Sequence, residues 1–229
     1  MRPVGILGGM GPAATILLMQ KVLEAVPARD DADHAPLIVH QNPQVPSRIK
    51  ALIERTGPDP GPVLAAMARD LEAAGARALA MPCNTAHACA GAIRAATPLP
   101  FLDMPELTAD RLAAAGARRV GVLASPATRL AGVFAAPLAA RGLAPVFLED
   151  DAPLLAIIRA VKAGEDIATL GPRLHAEGMA LAGMGADHLL VACTEFSLLT
   201  GALPADMPHT DSLDCLTEAI VEFATGAPE

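Results

Sequence analysis

The sequence predicts an α/β protein of two similar halves, each a small parallel sheet flanked by helices, with a thiol at the carboxyl edge of each sheet. Three observations carry this. Short apolar runs bounded by turn signals alternate with helix-length stretches, the pattern of βα units around a buried parallel sheet. The first run opens through a glycine-rich turn into a helix. The plan then repeats, and the distance from strand start to cysteine is similar in both halves, Gly5 to Cys83 and Gly121 to Cys193. The predicted domains are residues 1–98 plus 207–229, and residues 99–206. A chain of 229 residues can bury a sizeable core in either arrangement.

Val4–Leu7 reads as a strand, Gly8–Pro12 as a tight loop and Ala13–Val26 as a helix. Pro12 suits the first helical turn, where a missing N–H costs little. Ala35–Val39 is a second strand, and Asn42–Pro46 an irregular loop into a helical stretch near Ser47–Glu54. Gly57–Pro62 breaks the chain before a helix over Val63–Ala74, which Gly75 ends. Ala78–Met81 is the strand feeding Cys83, followed by a helix over His87–Ala95 and a break at Thr97–Pro100. The second half offers a helix over Leu107–Ala115, a strand over Val120–Leu123, the loop Ser125–Thr128, a helix over Leu130–Arg141 and a strand over Ala144–Leu148. Helices follow over Pro153–Ala163 and Gly171–Gly183, then the strand His188–Ala192 feeding Cys193. The helical tail Asp211–Ala224 is expected to pack back on the first half.

Composition excludes several functions. Aromatic residues are 2% of the chain, with neither Trp nor Tyr, so stacking platforms for bases are nearly absent. The net charge is -8 with no basic run, which argues against nucleic acid as a partner. No apolar stretch approaches membrane-spanning length without a charge, Pro or turn signal. The opening Met1-Arg2-Pro3 enters a strand directly, without a signal-peptide pattern, and no CxxC pair occurs. A cytoplasmic protein with reduced thiols is expected.

The loop Gly9-Met10-Gly11-Pro12-Ala13-Ala14 fits a dinucleotide-binding fingerprint. The acid that would hold the ribose is missing, since the second strand ends Val39-His40-Gln41-Asn42. The loop is then either a tight turn needing glycine dihedrals or a helix N-terminus suited to an anion. Cys83 and His87 are four residues apart, but no further ligands complete a zinc pattern, so no metal is expected. Cys89 and Cys215 read as small buried hydrophobes.

Cys83 and Cys193 each end an apolar run and precede a polar pair, Asn84-Thr85 and Thr194-Glu195. Ligand crevices in open α/β sheets lie past the carboxyl ends of strands. A structural cysteine is one reading of each. The other is paired chemistry, an acid and a base on opposite faces of one substrate. His87 could partner Cys83, whereas Cys193 is followed by Glu195 instead. Lysine occurs only at 21, 50 and 162. Arg48, just past the proline loop, and Lys162 suit either an anionic substrate or a solvated surface.

Together the segments resemble the aspartate/glutamate racemase superfamily, its aspartate racemase branch above all. They are Gly5–Pro12 with Ala14-Thr15, Asn42–Arg48, Met81–His87, Gly121–Ala124 with Thr128, Val161-Lys162 with Gly164, and Cys193-Thr194-Glu195. The resemblance implies two α/β domains with the site between them, commonly in a homodimer. It implies racemisation of an acidic amino acid, aspartate first and glutamate second, with no cofactor and no metal. Cys83 and Cys193 carry over as the acid/base pair, and Glu195 stands where the glutamate branch has a histidine assisting the second cysteine. Asn84, Thr85 and Thr194 carry over as binders of the α-carboxylate and amino group. Arg48 and Lys162 match the positions that hold the side-chain carboxylate; Met10 and Thr128 match loop positions facing substrate.

The chain departs from the family at Ala192, at Ile49 and in the loop Ser125-Pro126-Ala127-Thr128. Both cysteines are retained. Maleate isomerisation or a related superfamily reaction is the alternative within the fold. A non-catalytic binder of amino acids or dicarboxylates is the alternative outside catalysis.

Overall fold

In the computed structural model, which describes residues 1–226, β1 (Val4–Gly8) is buried at every position. It turns through Gly9–Gly11 into α1 (Pro12–Ala25), with Pro12 in the first turn. β2 (Leu37–Gln41) follows, then a π-helical turn at Ile49–Ile53, α2 (Gly61–Ala73) and β3 (Ala78–Ala80). A 3-10 turn, Thr85–Cys89, leads to α3 (Ala90–Ala96) and β4 (Phe101–Leu102). These strands form one parallel sheet in the order β2-β1-β3-β4.

The second series starts with α4 (Met104–Ala114), β5 (Arg119–Ala124), α5 (Pro126–Ala131), α6 (Ala135–Ala140) and β6 (Ala144–Val146). It continues through α7 (Ala152–Ala163), α8 (Ile167–Gly183), β7 (His188–Ala192), a 3-10 turn at Phe196–Ala202 and β8 (His209–Asp211). Its sheet is also parallel, in the order β6-β5-β7-β8. α9 (Ser212–Thr225) ends the described chain. No helix among the described residues is long and apolar enough to cross a membrane.

The two sheets repeat one design down to a packing detail. Each central strand carries a glycine where a helix and the neighbouring strand close in. A Cβ on Gly5 would stand 2.9 Å from Leu79 Cδ2, 3.0 Å from Ala76 Cβ and 3.1 Å from Leu71 Cβ. A Cβ on Gly121 would stand 3.0 Å from the same atoms of Leu189, Ala186 and Leu181. Neither site has room for a methyl group.

In the first unit, Leu7, Leu79 and Met81 pack on Leu64, Met67 and Leu71 of α2 and Ile93 of α3. In the second, Leu123, Leu189 and Val191 meet α7 and α8, while Val120, Val122, Leu190 and Ala192 meet Leu112, Phe134 and Leu138. Both faces of the second sheet are therefore covered, and burial of such side chains is the main stabilising term.

The chain divides into two compact units, Met1–Met104 with the stretch that starts at Leu213, and Pro105–Ser212. The crossings fall at 104/105 and 212/213, after the edge strands β4 and β8 rather than before them as the sequence suggests. Those strands are two and three residues long and follow Pro100 and Pro208, so neither presents a strand-length apolar run. α9 packs on the first unit: Arg2 N–H donates to Ala224 O, Arg2 Nε to Phe223 O, and the guanidinium lies 4.0 Å from the Phe223 ring centre.

Two helices differ most from expectation. The helix predicted over 130–141 is split into α5 and α6, because Gly132 caps α5 in the left-handed region at φ +64. The helix predicted from Gly171 starts instead at Ile167. Asp166 caps it by accepting from Ala168 N, and Pro172 lies inside it.

Candidate active site

β3 and β7 present their cysteines at the same register to the edge strand. Ala80 pairs with Leu102 and Leu190 with Thr210, and each cysteine lies three residues further on. Burial runs identically through 81–87 and 191–197, with only the second residue past each cysteine partly open. Cys83 and Cys193 are 7% and 8% exposed, and neither is in a disulfide.

In the first unit, Cys83, Met10 and Val45 share one apolar cluster. The glycine loop reaches them because Gly9, at φ +96, lies flat against Asn42: a Cβ there would be 2.4 Å from the Asn42 carbonyl carbon. Gly9 N–H donates to Thr15 Oγ1 at 2.9 Å, which holds the loop over α1. The half-buried Arg48 ties two loops together. Its Nη2 donates to Met10 O at 3.1 Å and its Nη1 to Pro46 O at 3.1 Å and Val45 O at 3.4 Å. Asn84 is buried and Thr85 half-buried in the turn that follows Cys83.

His87 does not serve Cys83 as a base. Its Nδ1 lies 2.9 Å from the Cys83 carbonyl and its Nε2 accepts from Met104 N at 3.3 Å. A carbonyl only accepts and an amide N–H only donates, so the ring is neutral with its proton on Nδ1. Burial lowers its pKa, which keeps it so.

In the second unit the thiol has an ionic neighbour. Cys193 Sγ–H donates to Glu195 Oε2 at 3.0 Å, and Glu195 Oε1 lies 3.2 Å from Lys162 Nζ. Gly164, in the left-handed region, ends α7 just past Lys162. Burial pushes the Cys193 thiol well above its usual pKa, the Glu195 carboxylate pushes it further, and Lys162 opposes both. Thr194 is buried beside it.

Ala124 pairs with Ala192, so Ser125 and Cys193 leave the sheet at the same edge. Ser125 Oγ caps α5 by accepting from Thr128 N at 3.1 Å and lies 2.9 Å from Thr128 Oγ1. A cavity of about 330 Å3 lies behind Thr128, lined by Phe134, Leu138 and Phe147. It is on the sheet face opposite the cluster that holds Cys193. Cys89, beside the first site, is half-buried, and burial raises its thiol pKa.

The structure thus gathers Met10, Arg48, Cys83, Asn84 and Thr85 at the sheet edge of one unit. It gathers Lys162, Cys193, Thr194 and Glu195 in the other, whereas Thr128 is tied to Ser125 and lines the cavity on the opposite sheet face. Sequence reasoning missed Ser197, whose Oγ donates to the buried Asp211 Oδ1 at 2.9 Å. Its position four residues past Cys193, matching His87, was the available signal.

The Asp/Glu/hydantoin racemase family model matches residues 7–220. The chain belongs to that family. It is 25% identical over 226 residues to the broad specificity amino-acid racemase RacX of Bacillus subtilis, covering 95% of this chain and 96% of that one. An aspartate racemase structure from Picrophilus torridus matches with a TM-score of 0.89 at 28% identity, covering 100% and 96% of the two chains. A glutamate racemase isoform from Bacillus anthracis matches at 0.71 and 18% identity, over 97% and 80%, which speaks to fold alone.

Proposed function

We propose that this family member is a cofactor-independent racemase of an acidic amino acid, aspartate first and glutamate second, using Cys83 and Cys193 as its two bases. The contact that carries this reading is Cys193 Sγ to Glu195 to Lys162. The resemblance to an aspartate racemase over the whole chain supports the substrate.

The α-proton of an amino acid is weakly acidic, so its removal needs a pre-oriented base and a site that stabilises the anion formed. One cysteine, as thiolate, takes the α-proton and becomes a thiol. The other, as thiol, gives a proton to the opposite face and becomes the thiolate. The substrate's hand decides which acts first. Glu195 can receive the Cys193 proton along the 3.0 Å contact, forming the thiolate without bulk water, while Lys162 balances the carboxylate. The raised thiol pKa makes that thiolate a strong base once formed. Asn84, Thr85 and Thr194 hold the α-carboxylate and amino group, Arg48 and Lys162 the side-chain carboxylate, with Met10 and Thr128 lining the substrate. The two units are proposed to enclose one substrate in a cytoplasmic homodimer. Ile16, Met19 and Leu23, exposed along α1, offer an apolar stripe for a second copy, and a monomer mass by light scattering would remove that part.

Proton NMR with L-aspartate in heavy water, with reductant and without pyridoxal phosphate, tests the reaction. Loss of the α-proton signal with D-aspartate appearing on a chiral column is expected. A retained α-proton with aspartate and glutamate alike overturns the reading, and fumarate formed from maleate would establish the isomerase instead.

A further inference from the structure

The residue four places past each cysteine makes an equivalent tie in each half. His87 bridges the Cys83 carbonyl to Met104 N, the first residue of α4. Ser197 Oγ–H donates to the carboxylate of Asp211, the residue before α9. Strand register makes these places match. Leu102 and Thr210 pair with Ala80 and Leu190, each is followed by an aspartate, and a helix starts directly after it. The chain leaves one unit and enters the other immediately past each tie, at 104/105 and 212/213.

We propose that His87 and Ser197 are equivalent positioning residues, each locking the turn that carries its own half's thiol to the helix start beyond the edge strand. His87 acts through the backbone of the turn and of its anchor, and Ser197 through the carboxylate of its anchor. The two do so with different chemistry. The imidazole is a two-ended bridge, one N–H donor and one ring-nitrogen acceptor. The hydroxyl is a single donor to a buried carboxylate, which makes a strong hydrogen bond. Arg94 and Asp103 are the charged groups acting on His87, and Arg94 pairs with Asp103. This division of labour explains why no shared residue marks the repeat at these positions.

The geometry stands by itself, while its catalytic consequence rests on the two-thiol racemase reading, so the test has two arms. The first measures iodoacetamide alkylation of the full chain, resolved by peptide for Cys83 and Cys193. His87→Leu should speed modification of Cys83 about tenfold, the scale of one lost hydrogen bond, and leave Cys193 within about twofold. Ser197→Ala should do the reverse. His87→Gln, which can donate and accept, and Ser197→Thr should restore native rates. Where His87→Leu does not fold, His87→Asn serves: it is too short to span both partners and should accelerate Cys83 alone. Equal acceleration of both thiols in each variant, no change in either, or no rescue overturns the proposal.

The second arm measures primary isotope effects with α-deuterated L- and D-aspartate. Variants on the two sides should raise the effect for opposite enantiomers; the same enantiomer affected by both overturns the assignment of one residue to each thiol. A native protein that exchanges no α-proton would refute the racemase reading, while the alkylation arm would still decide the positioning roles.

Discussion

Around Cys83 and around Cys193 the chain follows one path, from a buried strand through a cysteine and a polar pair into a 3-10 turn. The chemistry along that path differs. After Cys83 come the neutral Asn84 and Thr85, and Arg48, in the loop that shares its cluster, is held by three backbone carbonyls. After Cys193 come Thr194 and Glu195, whose carboxylate accepts the thiol hydrogen bond on one oxygen and pairs with Lys162 on the other. Repetition of the fold sets where each thiol lies, and the second residue past each cysteine sets its proton environment. Two similar sites can thereby hold unlike thiols, which suits a reaction that needs a base and an acid at once.

The largest test of this contrast is to remove each thiol. Cys83→Ser and Cys193→Ser should each lower racemisation by about a thousandfold or more, measured by chiral chromatography. Native turnover in either would end the paired reading. Next come the groups that make the thiols unlike. Glu195→Gln removes a negative charge that raises the Cys193 pKa, so alkylation of Cys193 should begin at lower pH. Lys162→Met removes an opposing positive charge and should move the same onset to higher pH. Both should reduce turnover by about ten- to a hundredfold, and matching shifts in one direction would sink the ionic account.

Arg48→Ala should raise the KM for aspartate about tenfold, and loosen the two loops it ties, while affecting alanine far less. Equal losses for both substrates would reduce Arg48 to a loop anchor. The smallest effects concern the repeat itself. Gly5→Ala and Gly121→Ala should each cost about 1–3 kcal/mol by denaturant unfolding, because the added methyl meets the same three side chains in both units. A tolerated change in one alone would mean that the two cores do not pack alike.

Much of this was legible in the sequence because it is local. A run such as Leu189–Ala192 followed by Cys193, or Gly9 between a strand and a helix, states its role within a few residues. β4 and β8 were not legible, because their pairing depends on a neighbouring strand already in place rather than on their own composition. The α5–α6 break hides in alanine-rich sequence that favours helix on both sides of Gly132. Glu195 and Lys162 were each visible, but their contact depends on how α7 lies against the end of β7, which no local pattern reports. His87 was visible as a possible base, and only the placement of Met104 reveals its backbone partners.

The return of α9 to the first unit has a consequence for synthesis. The second unit is one uninterrupted stretch, Pro105–Ser212, whereas the first is closed by Leu213, Leu216, Ile220 and Ala224, all fully buried. On a ribosome the domain begun first is therefore finished after the second, since its apolar cover emerges only once Pro105–Ser212 has done so. Ribosome-stalled chains that end at residue 212 plus an unstructured spacer long enough to clear the exit tunnel should protect the Cys193 peptide from protease while leaving the Cys83 peptide open. Equal protection of both would show that the first unit closes without its last helix.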